Sequence, residues 1–157
     1  MLKNIGYAAH DPKSPLVPFN FERREVGAQD VLIEIQYCGV CHSDLHQVRD
    51  DWAGSTYPIV PGHEIVGRVL KVGREVDEFK AGDLAGVGCL VDSCRVCLEC
   101  KEHLEQFCGS AVFTYNSPDK HTGRMTYGGY SNQIVVDKRF VLRISDRLDL
   151  AATAPLL

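Results

Sequence analysis

The 157-residue sequence has no apolar run that reaches the roughly 18 residues needed to cross a membrane. Its first residues also lack the apolar core of a secretion signal. Basic residues are not in surplus, because 17 lysines and arginines face 21 aspartates and glutamates, for a formal net charge of −4. These absences argue against a membrane protein and against a nucleic-acid binder, which normally carries excess positive charge. We therefore expect a cytoplasmic protein.

Helical periodicity is scarce as well, and we find no internal repeat or low-complexity segment. Stretches rich in β-branched residues predict strands over 3–9, 18–24, 31–37, 64–72, 84–87, 130–136 and 140–144. Gly67 marks a bulge or a close approach within its strand. Short helices are predicted over 43–49, within 97–107 and from residue 149. The pattern predicts one mainly β domain with short helices, either a small barrel or a sandwich.

Seven cysteines are the first unusual feature, since an odd number without a secretion signal argues against a disulfide framework. Four of them crowd into one short segment: Cys94, Cys97, Cys100 and Cys108. Four thiolates complete the tetrahedral shell of zinc and leave no open position, so the segment predicts a structural zinc site. An iron–sulfur cluster remains an alternative because it uses similar spacing, and redox-active thiols are another. His103, inside the segment, is expected to face solvent.

A second group of metal-binding residue types lies at the ends of predicted elements. Cys41 follows the strand 31–37, and His63 and Glu64 stand at the start of the next strand. A thiolate, an imidazole and a carboxylate are suitable donors for a catalytic metal. Spacing alone is weak evidence, because a lone cysteine is more often a small core residue and a lone histidine is usually bonded locally.

The motifs together resemble a known family. The pattern GHE-x2-G-x5-G-x2-V runs from Gly62 to Val76. The segments GVCHSD (39–44) and PGHE (61–64), the four-cysteine segment and GGYS (128–131) follow one another in that order along the chain. This arrangement is similar to that of the zinc-containing alcohol dehydrogenases of the medium-chain dehydrogenase/reductase superfamily. The segments YCGVCHSDLHQ and YPIVPGHEIVGRV most resemble the cinnamyl-alcohol-dehydrogenase-like, NADP-dependent aldehyde reductase branch.

The resemblance implies a GroES-like, partly open β-barrel with a structural-zinc loop. It also implies that Cys41 and His63 are ligands of a catalytic zinc. Glu64 would be a nearby carboxylate that can coordinate zinc when substrate is absent, and Asp44 would orient the His63 ring. The reaction implied is the interconversion of a primary alcohol and an aldehyde with NADP(H), in which zinc acts as a Lewis acid.

Further roles follow from the same resemblance. Ser43 would exchange a proton with the substrate oxygen, and His46, three residues on, would relay it toward solvent. His42 would contact a phosphate of the cofactor, and Trp52 would line the substrate pocket. A capping serine and a surface histidine are the plainer alternatives for the relay pair. Two other thiols, Cys38 and Cys89, are expected in the core.

Two family features are absent from the sequence. It contains no Gly-x-Gly-x-x-Gly and no βαβ unit, so the nucleotide-binding Rossmann domain is missing. The family's third catalytic zinc ligand is a cysteine directly after the stretch that resembles APLL, and here that stretch ends at Leu157. We therefore expect residues 1–157 to be a truncated GroES-like catalytic domain that is inactive alone.

The same truncation affects the expected metal content and partners. The structural zinc should be retained, whereas the catalytic zinc should be weak, absent, or completed by Glu64 or water. The full-length protein is expected to act on a small alcohol or aldehyde as a homodimer or homotetramer, with no nucleic-acid or membrane partner. A non-catalytic, zinc-stabilised binding module and an iron–sulfur electron-transfer protein remain rival functions.

Overall fold

The computed structural model describes all residues from 1 to 157, and strands dominate it. The strands are β1 (Leu2–Ala8), β2 (Val17–Arg23), β3 (Asp30–Cys38), β4 (Ile65–Val72), β5 (Leu84–Val87), β6 (Leu90–Asp92), β7 (Val112–Phe113), β8 (Gln133–Asp137) and β9 (Leu142–Arg143). The helices are α1 (His42–Val48), α2 (Leu98–Lys101) and α3 (Leu150–Thr153), and single 3₁₀ turns cover Glu105–Phe107, Lys138–Phe140 and Ala154–Leu156. None of these helices has the length and apolarity that a membrane crossing requires.

A five-stranded antiparallel sheet forms the centre, with the order β8-β3-β4-β5-β9. Two further pairs, β1–β2 and β6–β7, form separate two-stranded sheets. Isolated bridges such as that between Gly6 and Ser131 connect the β1–β2 pair to the rest. The prediction of a mainly β domain with short helices is therefore confirmed, and the hydrogen-bonded sheets stay open rather than closing into a continuous barrel.

The core packs against the first half of β3 and its neighbours. Val31, Ile33, Ile65 and Ile134 are each at most 1% exposed and belong to one cluster of 13 buried residues. Each such side chain contributes about 1.5–3 kcal/mol when it is fully buried. The cluster holds β3 and β4 together, so that the end of β3 and the start of β4 meet at one edge of the sheet.

Gly67 of β4 lies tightly against the backbone of β3. A Cβ at this position would lie 2.0 Å from the carbonyl oxygen of Glu34 on the facing strand. The ladder shifts register between Ile35 and Tyr37, close to the Ile35–Gly67 pair. The close approach predicted from the sequence is present, and only glycine leaves room for it.

Most predicted boundaries move by a residue or more, and local hydrogen bonds explain three of these differences. The strand predicted over 130–136 begins only at Gln133, because the amide of Tyr130 donates to Pro61 and the amide of Asn132 donates to Ile5 of β1. The strand predicted over 140–144 shortens to two residues, since Asp137 caps a 3₁₀ turn by accepting from Arg139 N at 3.1 Å. Helix α1 begins at His42 rather than Ser43, because the Asp44 carboxylate accepts from Cys41 N at 3.1 Å and caps the helix one residue earlier.

Candidate metal centres

The first centre lies where β3 ends and β4 begins. The strands pair through Cys38 and Ile65, and one step farther the amide of Gly39 donates to the carbonyl of Glu64 at 2.8 Å. Cys41 follows on one side as the N-cap of α1, and His63 precedes Glu64 on the other. Antiparallel pairing therefore brings together residues that are 22 positions apart in the chain.

The three candidate ligands converge. The sulfur of Cys41, a ring nitrogen of His63 and a carboxylate oxygen of Glu64 all lie within 4.8 Å of one another. Oε2 of Glu64 is buried and has no hydrogen-bond partner. A buried carboxylate oxygen without a donor is costly unless a cation compensates it. The sulfur, nitrogen and oxygen donors, together with this unpaired atom, fit a zinc ion.

Asp44 organises the centre from behind and is only 3% exposed. Its Oδ1 accepts from the amide of Gly62 at 3.0 Å and from Nδ1 of His63 at 3.1 Å. With Nδ1 protonated in this way, the other ring nitrogen is free to bind a metal. The second oxygen, Oδ2, accepts from Cys41 N at 3.1 Å and from the Tyr130 hydroxyl at 3.3 Å.

Hydrogen bonding shifts the pKa of both Asp44 and His63. The hydrogen bond to Asp44 raises the pKa of His63 above its ordinary value, and this effect exceeds the opposing effect of burial. Burial of the Asp44 carboxyl favours its neutral form, but the donors His63, Cys41 N and Gly62 N together lower its pKa below the ordinary value. The carboxylate therefore stays ionised and stabilises positive charge at the ring.

Ser43 contacts the thiol of the centre. Its hydroxyl lies 3.0 Å from Sγ of Cys41, and hydrogen bonding from Ser43 lowers the pKa of that thiol. A lower thiol pKa makes the thiolate, which is the metal-binding form, more available near neutral pH. Ser43 thus touches the donor set directly.

A row of rings continues along α1 away from the centre. The ring centroids of His42 and His46 are 4.6 Å apart, and His46 lies 5.1 Å from Trp52. Nδ1 of His46 bonds to Asp51 Oδ2 at 2.8 Å. His42 and Trp52 are exposed, whereas Ser43 and His46 are half-buried. Sequence reasoning missed Asp51, because its approach to His46 depends on the turn that ends α1.

The second centre is the four-cysteine segment after β6. All four sulfurs lie within 4.8 Å of one another, and those of Cys94 and Cys100 are 3.9 Å apart. Cys97 precedes α2, while Cys108 follows a 3₁₀ turn, so short turns aim each sulfur inward. Amides of Val96 and Cys97 lower the pKa of the Cys94 thiol. This donor set fits a tetrahedral, closed zinc site.

Other cysteines and histidines lie outside both clusters. Cys38 is half-buried against the core, and burial raises its pKa to about 12. Cys89 is exposed, so the expectation of a core thiol is wrong there, because the residue lies in the short exposed link between β5 and β6. His103 faces solvent as expected.

Comparison with known proteins decides the family. The profile of the alcohol dehydrogenase GroES-like domain matches residues 27–146, about three quarters of the chain. The chain belongs to the alcohol dehydrogenase GroES-like domain family. It is 57% identical over 157 residues to the aldehyde reductase YahK of Escherichia coli (strain K12), and 56% identical over 156 residues to a probable mannitol dehydrogenase of Medicago sativa. These alignments cover 99% of this chain but only 44% and 43% of the relatives.

Solved structures of alcohol dehydrogenases support the same family assignment. CAD from Helicobacter pylori, complexed with NADP(H), superposes with a TM-score of 0.97 at 45% identity, covering 99% of this chain and 45% of that one. A cinnamyl alcohol dehydrogenase from Sorghum bicolor gives a TM-score of 0.96 at 46% identity, with 99% and 44% coverage. The chain therefore spans less than half the length of these family members.

Proposed function

We propose that this chain is the catalytic domain of a zinc-dependent alcohol dehydrogenase or aldehyde reductase, which interconverts a primary alcohol and an aldehyde with NADP(H). The observation that carries the proposal is the convergence of Cys41, His63 and Glu64 beside the buried Asp44. The names of the relatives support the reaction class. Residues beyond this chain, from the remaining length of such relatives, would supply the nucleotide-binding domain.

Each residue of the centre has a distinct task in this proposal. Cys41 and His63 would hold the metal, and Glu64 would supply a third donor when no substrate is present. Asp44 keeps the His63 ring in one orientation through Nδ1. Zinc, when bound, supplies Lewis-acid polarisation of the substrate oxygen. Thiolate and imidazole donors moderate its charge while leaving a position open.

Ser43 and His46 form the proton relay of this proposal. The Ser43 hydroxyl lies beside the Cys41 sulfur and is half-buried, where it can exchange a proton with the substrate oxygen. His46 is three residues on along the same face of α1. Its Nδ1 is engaged by Asp51, which leaves Nε2 to move the proton on. His42, exposed at the start of the helix, is proposed to contact a cofactor phosphate, and Trp52 to border the substrate.

The four-cysteine site has a structural role in this proposal. Its four sulfurs satisfy a tetrahedral ion, so no coordination position remains for substrate. The full-length protein is proposed to be a homodimer or homotetramer.

Metal content and turnover together test the function. We expect two zinc ions per 157-residue chain at saturating zinc, and one in Cys41→Ser. In the protein extended to the relatives' length, Cys41→Ser should abolish alcohol-dependent NADP⁺ reduction, and Ser43→Ala should slow it by about 10²–10⁴-fold. Replacing the exposed Ser145 by alanine should leave the rate unchanged.

Three results would reject the proposal. Full activity in the Cys41→Ser variant of the extended protein would remove Cys41 and its metal from the mechanism, whereas no turnover in the unaltered extended protein would favour a zinc-stabilised binding module. Visible absorbance with bound iron in place of zinc would favour an electron-transfer protein. We also expect the 157-residue chain alone to show no turnover.

A further inference from the structure

Gly39 lies directly opposite Glu64 at the open end of the β3–β4 ladder. The last strand pair joins Cys38 to Ile65, and the Gly39 amide then donates to the Glu64 carbonyl at 2.8 Å. Residues that face each other in an antiparallel pair project their side chains to the same side. A side chain at position 39 would therefore compete with the Glu64 side chain for the same space.

The Glu64 carboxylate occupies the space of the missing side chain. A Cβ added to Gly39 would lie 1.9 Å from Oε2 of Glu64 and 3.0 Å from the Cβ of Glu64. The backbone of Gly39 does not have the positive φ of Gly54, Gly62, Gly82 and Gly123. The backbone torsion angles therefore do not require glycine at position 39. A larger residue is excluded because its side chain would clash with the Glu64 carboxylate.

The place that the Glu64 carboxylate occupies is energetically unfavourable when no cation is bound. Oε2 of Glu64 is shielded from water and accepts no hydrogen bond. An unpaired buried acceptor costs about 1–3 kcal/mol, and more when it is charged. The donor atoms of Cys41 and His63 lie within 4.8 Å of the Glu64 carboxylate. A cation shared by the three side chains would remove this cost.

We propose that Gly39 is a positioning residue that holds Glu64 at the metal centre, so that residues 1–157 by themselves contain a three-donor site of one thiolate, one imidazole and one carboxylate. This inference rests on the proposed metal centre. The absence of a side chain at position 39 lets the Glu64 carboxylate fold back toward Cys41 and His63. Any larger residue there would push the carboxylate away from both.

Cobalt(II) titration tests the proposal, because its absorption bands report the number and kind of donors. The protein is first prepared with one zinc per chain retained in the four-cysteine site. Gly39→Ala should weaken cobalt binding about 10-fold or more, in the range that loss of a supporting residue produces, and should alter the cobalt spectrum. Gly109→Ala is the matched control, because a Cβ there meets nothing within 4 Å and the φ of Gly109 is not positive.

A double-mutant cycle separates positioning from general damage. If Gly39 acts only through the carboxylate, adding Gly39→Ala to Glu64→Ala should cause no further loss of cobalt affinity. Additive losses, or wild-type affinity and spectrum in Gly39→Ala, would overturn the proposal. If Gly39→Ala alone fails to fold, we expect Glu64→Ala to restore folding by removing the clashing carboxylate, and failure of that rescue also counts against it.

Two further variants separate a failure of the role proposed for Gly39 from a failure of the proposed metal centre. Wild-type cobalt binding in Glu64→Ala, combined with loss in Cys41→Ser, would reject the role of Gly39 and leave the metal centre intact. Unchanged binding in Cys41→Ser would reject the metal centre itself, and the role of Gly39 with it.

Discussion

At the scale of single residues, Asp44 connects three segments of the first metal centre. Its two oxygens receive the amide of Cys41, the amide of Gly62, the ring of His63 and the hydroxyl of Tyr130. Four donors match the acceptor capacity of an ionised carboxylate. One buried side chain therefore fixes the start of α1, the turn before His63 and the orientation of the ring.

The first prediction concerns this carboxylate. Asp44→Asn removes the negative charge that orients His63. It also places the side-chain amide hydrogens of the new asparagine against groups that themselves donate hydrogen bonds. We expect cobalt or zinc affinity at the Cys41 centre to fall about 10- to 100-fold, measured by competition with a chromophoric chelator. Asp146→Asn, at an exposed position, is the control. Unchanged affinity in Asp44→Asn would show that His63 does not depend on Asp44.

The second prediction concerns pH and Ser43. Metal binding needs the Cys41 thiolate and an unprotonated metal-binding nitrogen on His63, so affinity should rise with pH. Because the pKa of His63 is raised, protons compete with the metal above the ordinary pKa of 6.5. Ser43→Ala removes the bond that lowers the thiol pKa of Cys41, so the midpoint of the pH profile should move to higher pH. A midpoint equal to that of Ser145→Ala would contradict this.

The family resemblance, and not the spacing of the residues, singled out Cys41, His63 and Glu64 as donor residues. The structure places their donor atoms within 4.8 Å of one another, but the sequence did not indicate all the residues that support them. Tyr130 and Asp51 were missed because each is brought close by tertiary structure or by a local turn. The hydroxyl of Tyr130 reaches Asp44 across 86 positions of the chain, and no local pattern encodes such a contact.

At the scale of elements, a buried charge network attaches the four-cysteine segment to the domain. The Asp92 carboxylate at the end of β6 bonds to Arg95, to Lys120 at 2.7 Å and to His121 at 3.1 Å. Arg95 also reaches Asp137 of β8 at 2.8 Å. The network therefore joins the segment to the loop 119–121 and to the central sheet.

The third prediction removes the centre of that network. Asp92 has only 5% of its side chain exposed, and removing one member of a buried ionic network costs about 3–5 kcal/mol. We expect Asp92→Asn to lower the free energy of unfolding by about 3 kcal/mol in urea titrations. Glu102→Gln, at an exposed position, should change it by less than about 0.5 kcal/mol. A loss no larger than that of this control would show that the network is dispensable.

The pH dependence of this network has a definite sign. Burial opposes ionisation of Asp92, but bonds from Lys120 and Arg95 outweigh it and lower its pKa below the ordinary value of 3.8. The folded state therefore binds the proton less readily than the unfolded state. Its stabilisation is present above pH 3.8 and is lost as pH falls through the lowered pKa, so Asp92→Asn should flatten the acid limb of the stability profile.

At the scale of the whole molecule, the strand-rich architecture was predictable and the pairings were not. β-branched runs predicted most of the central sheet because their side chains are buried at strand spacing. Residues 130–132 were predicted as part of a strand, yet the amide of Tyr130 donates to Pro61 and that of Asn132 to Ile5 of β1, and β8 begins only at Gln133. Which partner such a segment chooses depends on the packed domain, not on its own composition.

The fourth prediction tests how the core supports the centre. Ile33 is fully buried in the cluster that joins β3 to β4. Ile33→Ala should cost about 2–5 kcal/mol of stability. Because Cys41 and Glu64 flank the ends of these two strands, it should also weaken metal binding at the first centre. Val40→Ala, at a residue 82% exposed, should do neither. Denaturant unfolding and cobalt titration of both variants decide the matter.

The row of rings beside the first centre includes a natural fluorescent reporter. Trp52 is the single tryptophan of the chain, is 58% exposed and lies 5.1 Å from the ring of His46. Its emission therefore comes from one known place and responds to the charge on that imidazole. A small molecule that binds beside His46 and Trp52 should therefore change the intrinsic fluorescence, without any label.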